Sequence, residues 1–379
     1  QRLAAALVRI ASKPPRTLPE ATAALVEKLT GALHADELQT KAVRLALENR
    51  LAVISGGPGT GKTTTVVLIL ECLLEENKDL SIYLAAPTGK ATSRMRQSIV
   101  AMTQGPIAGN FPRMKEVVSE EAAQGAPRRV EEHTIHKWLV KKTPSGEKPS
   151  ADNPLPADVL IIDEASMVDI HLAARLFEVV SENTRVIILG DKHQLAAVGP
   201  GAVFADISAT DGALAASTVE LKTSRRFAEG SVIAKLAAAI NHDGGISSST
   251  ARTTVKRLLA DAQTGGDPDW RIAWDDAMPQ GEGGYGLAPA LMPAHDTAFA
   301  MTIHQSQGSE FPEVAVFLPT DPASGLATRE LLYTGVTRTK RSVDIFGTER
   351  VLNASVENRT VRVSGLADRL AERAKAARG

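Results

Sequence analysis

The plainest chemistry in this chain lies in one short stretch, Gly56-Gly57-Pro58-Gly59-Thr60-Gly61-Lys62-Thr63, which follows an apolar run and opens a helix-forming segment. The spacing G-x-x-x-x-G-K-[ST] between strand and helix is that of a phosphate-binding loop. Glycine accepts the backbone conformations that turn N–H groups inward around phosphate oxygens, and the helix N-terminus adds a favourable dipole. Gly57, Gly59 and Gly61 are therefore candidate nucleotide contacts, together with Thr60 and Thr64. Lys62 is placed to reach the β and γ phosphates of ATP, and the Thr63 hydroxyl to ligate Mg²⁺. A Gly-rich turn that binds nothing is the plain alternative, and the strand–loop–helix context argues against it. By itself the loop suits a kinase, a GTPase, a transporter ATPase or a helicase.

Two acids fit the same reaction. Leu160-Ile161-Ile162-Asp163-Glu164 puts a carboxylate pair at the C-terminal end of a buried-strand pattern, the edge where open parallel sheets bind ligands. Asp163 would hold Mg²⁺ through water, and Glu164 would take a proton from an attacking water. The competing reading is a helix N-cap followed by an acid in the first turn. Gln194, in Gly190-Asp191-Lys192-His193-Gln194-Leu195, is expected to touch the γ-phosphate or that water, a surface amide being the alternative. Arg225-Arg226-Phe227 and Thr337-Arg338 offer the cations that hydrolysis in a cleft requires. An arginine finger contributes about 10³ to 10⁵ in rate.

These groups need a frame. Short apolar or β-branched runs at residues 51–55, 81–86, 159–162, 185–189, 297–302, 314–318 and 342–346 alternate with helical stretches. That alternation predicts an α/β fold with parallel sheets and right-handed crossovers. Residues 1–38 read as helix, a Pro14/Pro15/Pro19 turn and helix, without a strand. Residues 103–131 are polar and long for a structureless loop. Residues 242–294 hold Gly-Gly pairs with Trp270 and Trp274 among them, and the main domain boundary is expected near residue 215.

Composition narrows the classes. A chain of 379 residues has room for about two or three domains. Lys and Arg total 43 against 44 Asp and Glu, a net charge of −1, so a polybasic surface is excluded and any nucleic acid must meet a local groove. With 43% apolar residues but only three Trp, three Tyr and eight Phe, aliphatic side chains must fill the cores. Cys72 is the single cysteine, which excludes an intramolecular disulfide and a cysteine-ligated zinc. The sequence shows neither an apolar run near the roughly 20 residues of a membrane helix nor a secretory leader. The expected setting is cytoplasmic.

Taken in order, the motifs resemble those of superfamily 1 helicases of the 5′→3′ branch, 1B. Gln39 resembles the glutamine that reads adenine, Ala86-Pro87-Thr88-Gly89-Lys90-Ala91 is similar to motif Ia, and Thr134-Ile135-His136-Lys137-Trp138 to motif Ib. Asp163-Glu164 resembles motif II and the segment ending Gln194-Leu195 motif III. Thr223-Ser224-Arg225-Arg226-Phe227 resembles motif IV, with Arg226 as the finger. Met301-Thr302-Ile303-His304-Gln305-Ser306-Gln307-Gly308-Ser309-Glu310-Phe311 is similar to motif V, which adds Glu310 to the nucleotide contacts. Leu332-Tyr333-Thr334-Gly335-Val336-Thr337-Arg338 is similar to motif VI. The wording of several motifs resembles that of the RecD family, the alpha subunits of exodeoxyribonuclease V.

The resemblance implies two RecA-like P-loop NTPase domains with parallel sheets and small insertions in each. Residues 39–215 would form domain 1A, with a 1B pin insertion at about 103–131. Residues 216–379 would form domain 2A, with a shortened 2B insertion at about 242–294, and residues 1–38 are left as a remnant of the docking domain or a linker. It also implies ATP-driven 5′→3′ movement on single-stranded DNA from duplex ends in double-strand-break repair, beside RecB-like and RecC-like subunits. Thr88, Thr134, His136, Thr302, His304 and Ser306 are the short polar groups expected to contact DNA phosphates. Trp138 could stack a base or sit in the core. Rival readings are a stand-alone RecD-like or conjugative-relaxase-type helicase, an ATP-switched assembly module without translocation, and action on RNA. Nuclease activity is the least supported, since no further acidic cluster accompanies Asp163 and Glu164.

Overall fold

Aliphatic runs build the first sheet. The computed structural model describes residues 1–122, 129–225, 231–263, 300–360, 362 and 364–378. Helices α1 (Arg2–Ala11), α2 (Glu20–Ala32) and α3 (Glu37–Glu48) precede β1 (Leu51–Gly56), as the helix–turn–helix reading of the first 38 residues requires. Then come α4 (Lys62–Glu76), β2 (Ile82–Ala86), α5 (Gly89–Gln104), α6 (Pro112–Ala122), β3 (Val130–Thr134) and α7 (Ile135–Trp138). They are followed by β4 (Val159–Ile162), α8 (Ile170–Glu178), β5 (Arg185–Gly190), α9 (Val203–Ile207) and β6 (Thr218–Leu221).

These strands pair in parallel in the order β3-β2-β4-β5-β1-β6. β1, β2, β4 and β5 are buried along their whole length, as expected for central strands covered on both faces. Because side chains alternate across a strand, Val53, Leu160, Ile162, Val186 and Ile188 meet α1, α8 and α9 on one side. Ile54, Leu84, Ile161, Ile187 and Leu189 meet α3, α4 and α5 on the other. Parallel pairing gathers the C-terminal ends of all six strands on one edge, so the loops that leave them share it.

The described part of the expected pin region is packed. Phe111, Met114 and Val117 are buried in the same core as α4. The Glu71 carboxylate on α4 accepts the first backbone N–H groups of α6, from Arg113 at 3.0 Å and Met114 at 2.9 Å. Burial raises the Glu71 pKa, against the pull of those two N–H groups. Residues 123–128 lie outside the described residues.

The chain divides into two compact units, Gln1–Glu229 with Val361–Gly379, and Gly230–Thr360. The division falls later than residue 215 because β6 pairs with β1 and so belongs to the first sheet. In the first unit the closing helix α15 (Leu366–Arg378) sets Leu366 and Leu370 into the core formed by Leu3, Leu7 and Val8 of α1. The second unit contains α10 (Val232–Asn241), α11 (Ser248–Gln263), α12 (Ile303–Ser306), β7 (Phe311–Phe317), α13 (Arg329–Val336), β8 (Thr339–Phe346) and α14 (Glu349–Glu357). β7 and β8 pair in parallel across α13, and Arg252–Glu357 at 2.6 Å ties α11 to α14. Most of the 242–294 region, with Trp270 and Trp274, and residues 297–299 of the expected strand at 297–302 lie outside the described residues.

Candidate nucleotide site

The phosphate loop leaves β1 and closes on its own lysine. Gly59 and Gly61 take positive φ, +76° and +83°, a region open to glycine at little cost. At Gly61 a Cβ would lie 2.2 Å from Gln39 Nε2, so any other residue would have to displace that amide as well as bear the positive φ. Lys62 Nζ donates to the Gly56 and Gly57 carbonyls at 2.5 and 3.0 Å. Thr60 is buried and donates to the Gly57 carbonyl at 2.8 Å. Thr63 and Thr64 are half-buried in the first turn of α4.

Asp163 and Glu164 leave β4 on the same edge. Burial first, and the neighbouring Glu164 charge second, push the Asp163 carboxyl above the usual carboxylate range. The Glu164 N–H, Lys62 and Arg94 pull it back. That N–H donates to Asp163 Oδ1 at 2.8 Å. Glu164 itself sits at φ +50°, ψ +40°, left-handed and unusual for a non-glycine residue. Such strain is retained where the surroundings impose it, commonly at sites of function. Gln194, after β5, is buried, and its Oε1 has no hydrogen-bond partner among the described residues.

This donor set fits Mg²⁺ and a triphosphate. Among the described residues, a lysine held by main-chain carbonyls, a half-buried acid pair beside it and an amide oxygen without a partner are each incomplete alone. Thr63 and Asp163 are the residues that would hold the metal.

Sequence reasoning missed two supports of this edge, Glu220 and Arg362, and the partner of a third, Arg225, which it offered only as a cation for hydrolysis. Glu220 on β6 faces His193 at 3.9 Å and pairs with Lys192 at 2.7 Å; the His193 hydrogen bond first, and that of Lys192 after it, draw its pKa down to about 2 against the effect of burial. Arg225 binds the Gln39 side chain. Arg362 donates to the Gly199 carbonyl at 2.8 Å and to that of Ala197, gripping the loop after Gln194. No local pattern marks Glu220, Arg362 or the contact of Arg225 with Gln39, because each partner is remote in sequence.

The other expected residues are placed as follows. Arg226 lies outside the described residues. Arg338, only 3% exposed, donates from Nε to the Thr334 carbonyl at 3.1 Å and from Nη1 to that of Ser309 at 3.3 Å. Glu310 is half-buried with Lys340 3.8 Å away. Thr88, Thr134 and Thr302 are N-caps of α5, α7 and α12, accepting the N–H of Ala91, Lys137 and Gln305. Thr88 and Thr134 leave adjacent strands, since β2 pairs with β3. His136 is exposed and His304 half-buried, while Ser306 is buried and donates to the Ile303 carbonyl at 2.8 Å. Trp138 resolves to the core: it is 1% exposed, stacks on Tyr83 at 3.9 Å and donates Nε1–H to the Leu84 carbonyl.

Known proteins agree with this architecture. Residues 39–200 match the AAA domain family and residues 297–345 the UvrD-like helicase C-terminal domain. The RecBCD enzyme subunit RecD of Mycolicibacterium smegmatis is 30% identical over 96% of this chain and 79% of its own length. That of Mycobacterium tuberculosis is 32% identical over 88% of this chain and 72% of its own. The chain belongs to the RecD family. It is accordingly an ATP-dependent DNA helicase of the RecD type, built on RecA-like α/β units. Among solved structures, the Candida albicans Pif1 helicase aligns over 93% of this chain and 98% of its own at 13% identity, with a TM-score of 0.43. Nothing further rests on so loose a likeness. No helix among the described residues is long and apolar enough to cross a membrane.

Proposed function

We propose that this RecD-type helicase moves 5′→3′ along single-stranded DNA from duplex ends, in the cytoplasm. It acts there as a subunit beside RecB-like and RecC-like proteins in double-strand-break repair. The observation that carries the motor reading is the meeting of Lys62 with the half-buried Asp163–Glu164 pair on one sheet edge. In this reading Gly57, Gly59, Thr60, Gly61 and Thr64 hold the phosphates, Gln39 and Glu310 flank the nucleotide, and Lys62 exchanges loop carbonyls for phosphate oxygens. Thr63 and Asp163 would hold Mg²⁺, which when bound would supply neutralisation of phosphate charge. Glu164 receives the proton of the attacking water, and Gln194 Oε1 orients that water by accepting its other hydrogen. Arg226 and Arg338 are the cations that complete hydrolysis.

Single-stranded DNA is met by short polar groups rather than by a basic field. A threonine cap accepts one N–H and keeps its own O–H to donate, so Thr88 and Thr134 can each bond a phosphate oxygen while capping a helix, and Thr302 can do so by giving up its long 3.4 Å bond to Gln305 Oε1. His136 and His304 donate from their rings. Ser306, already committed to Ile303, serves by fixing α12. Unwinding of 5′-tailed against 3′-tailed duplexes tests the direction: preference for the 3′ tail would overturn it. Recovery of the chain from native lysate without RecB-like or RecC-like proteins would overturn the subunit role.

A further inference from the structure

Arg362 takes hold of the loop after Gln194 from the far end of the sequence, two residues after the second unit closes at Thr360. The side chain is half-buried, and a single nitrogen, Nη1, makes both bonds to that loop, to the Gly199 carbonyl at 2.8 Å and to the Ala197 carbonyl. Two residues further on, Ser364 Oγ donates to Asp206 Oδ2 on α9 at 2.5 Å. Gly201 ends the gripped loop at φ +93°, where a Cβ would lie 3.3 Å from that of Ser364.

The gripped loop is stitched by its backbone to the loop that carries the acids. The Ala197 N–H donates to the carbonyl of Ser166, two residues beyond Glu164, at 3.0 Å, and the Ile170 N–H donates to the Pro200 carbonyl at 3.2 Å. Gly199 lies so close to Asp169, the N-cap of α8, that a Cβ there would stand 2.7 Å from the aspartate's own. Residues 164–170 and 195–201 therefore form one hydrogen-bonded piece, and Arg362 fastens it to the C-terminal segment.

The side chains on this piece get no such support. Gln194 Oε1 and Ser166 Oγ are buried without a hydrogen-bond partner among the described residues. Where the Gln194 oxygen stands is therefore set by main chain. Ahead of it the Gln194 N–H is tied to the Asp191 carbonyl at 3.2 Å, and behind it the turn at Ala197 and Gly199 is tied to Arg362. We propose that Arg362 is a positioning residue for ATP hydrolysis, which keeps Gln194 Oε1 aimed at the attacking water by holding those two carbonyls. Its bonds run to residues 197 and 199 and not to the phosphate loop, so nucleotide binding does not depend on it. The proposal deepens the motor reading given above and rests on it.

The test is single-stranded-DNA-stimulated ATP hydrolysis by the full chain, counted per ATP-binding site so that unfolded protein drops out. Arg362→Met is expected to lower kcat about ten- to a hundredfold, the cost of a misplaced reacting group, while KM for ATP moves less than about threefold. Arg362→Lys is expected to recover most of that loss, because both native bonds leave one nitrogen and an ammonium can donate to both carbonyls. In a Gln194→Ala background, Arg362→Met is expected to add less than about twofold, since the two residues then act as one unit. The proposal is overturned by an unchanged kcat in Arg362→Met, by loss of ATP binding there, or by Arg362→Lys being as slow as Arg362→Met. An undiminished effect of Arg362→Met in the Gln194→Ala background overturns it as well. Native turnover in Gln194→Ala alone overturns the part given to Gln194 in the motor reading, and this inference with it.

Discussion

Lys62 in the first unit and Arg338 in the second are both cations satisfied by main-chain carbonyls, yet their surroundings differ. Lys62 is half-buried at the start of α4, with the Asp163 carboxylate in electrostatic reach. Arg338 is enclosed at the junction of α13 and β8, its fork closed on Thr334 and Ser309. A flexible ammonium can trade carbonyls for phosphate oxygens without disturbing the fold, whereas a planar guanidinium gives up two directed bonds at once. The comparison teaches that the first unit presents its charge ready for use and the second stores its charge inside a structural joint.

Four substitutions probe that contrast. Lys62→Ala is expected to abolish DNA-stimulated ATP hydrolysis, a loss of about a thousandfold or more; turnover close to the native rate would remove the phosphate loop from the chemistry. Glu164→Gln should retain ATP on filters while lowering hydrolysis about 10² to 10⁴-fold. Normal turnover there would leave the proton without an acceptor. Arg338→Ala should destabilise the second unit by about 1–3 kcal/mol, because two buried carbonyls lose their donor. An unchanged denaturation midpoint would show that the joint does not depend on it.

The smallest effect is expected at Glu220. Its folded pKa of about 2 lies below the ordinary 4.5, so the carboxylate adds stability above the ordinary value, and this is lost as pH falls from 4.5 toward 2. The group is half-exposed and solvent screens it, so Glu220→Gln should cost about 1 kcal/mol or less at neutral pH. The variant should also show a flatter acid limb in melting experiments between those pH values. An acid limb as steep as the native one would assign the stabilisation to other carboxylates.

How far these features could be read in advance depended on whether their causes were local. β1, β2, β4 and β5 announce themselves as aliphatic runs, and the loop after β1 carries its own glycine spacing. β3, with the sequence Val-Glu-Glu-His-Thr, is only half-buried at the end of the strand order, so neither a continuous apolar run nor clean alternation marks it. α6 owes its start to Glu71, some 40 residues earlier in sequence, and a polar stretch capped from elsewhere looks like a loop. Trp138 was undecidable because its one polar atom can face a base or a carbonyl; the Leu84 carbonyl decides it. The acids and Lys62 were legible as types and spacing, but the left-handed backbone of Glu164 and the grip of Arg225 on Gln39 arise only from tertiary placement.

The pairing of α1 with α15 has a bearing on how the protein comes into being. Leu3 and Leu7 find part of their cover in Leu366 and Leu370, which the ribosome delivers only after the whole of the second unit has been made. The first unit therefore waits, nearly complete and with an apolar stripe of α1 uncovered, for the duration of that synthesis, about ten to thirty seconds at ordinary bacterial rates. The second unit is free to fold during the interval, since its residues are contiguous. The arrival of α15 then seals the first unit, so the nascent chain is most vulnerable to self-association in the interval before it.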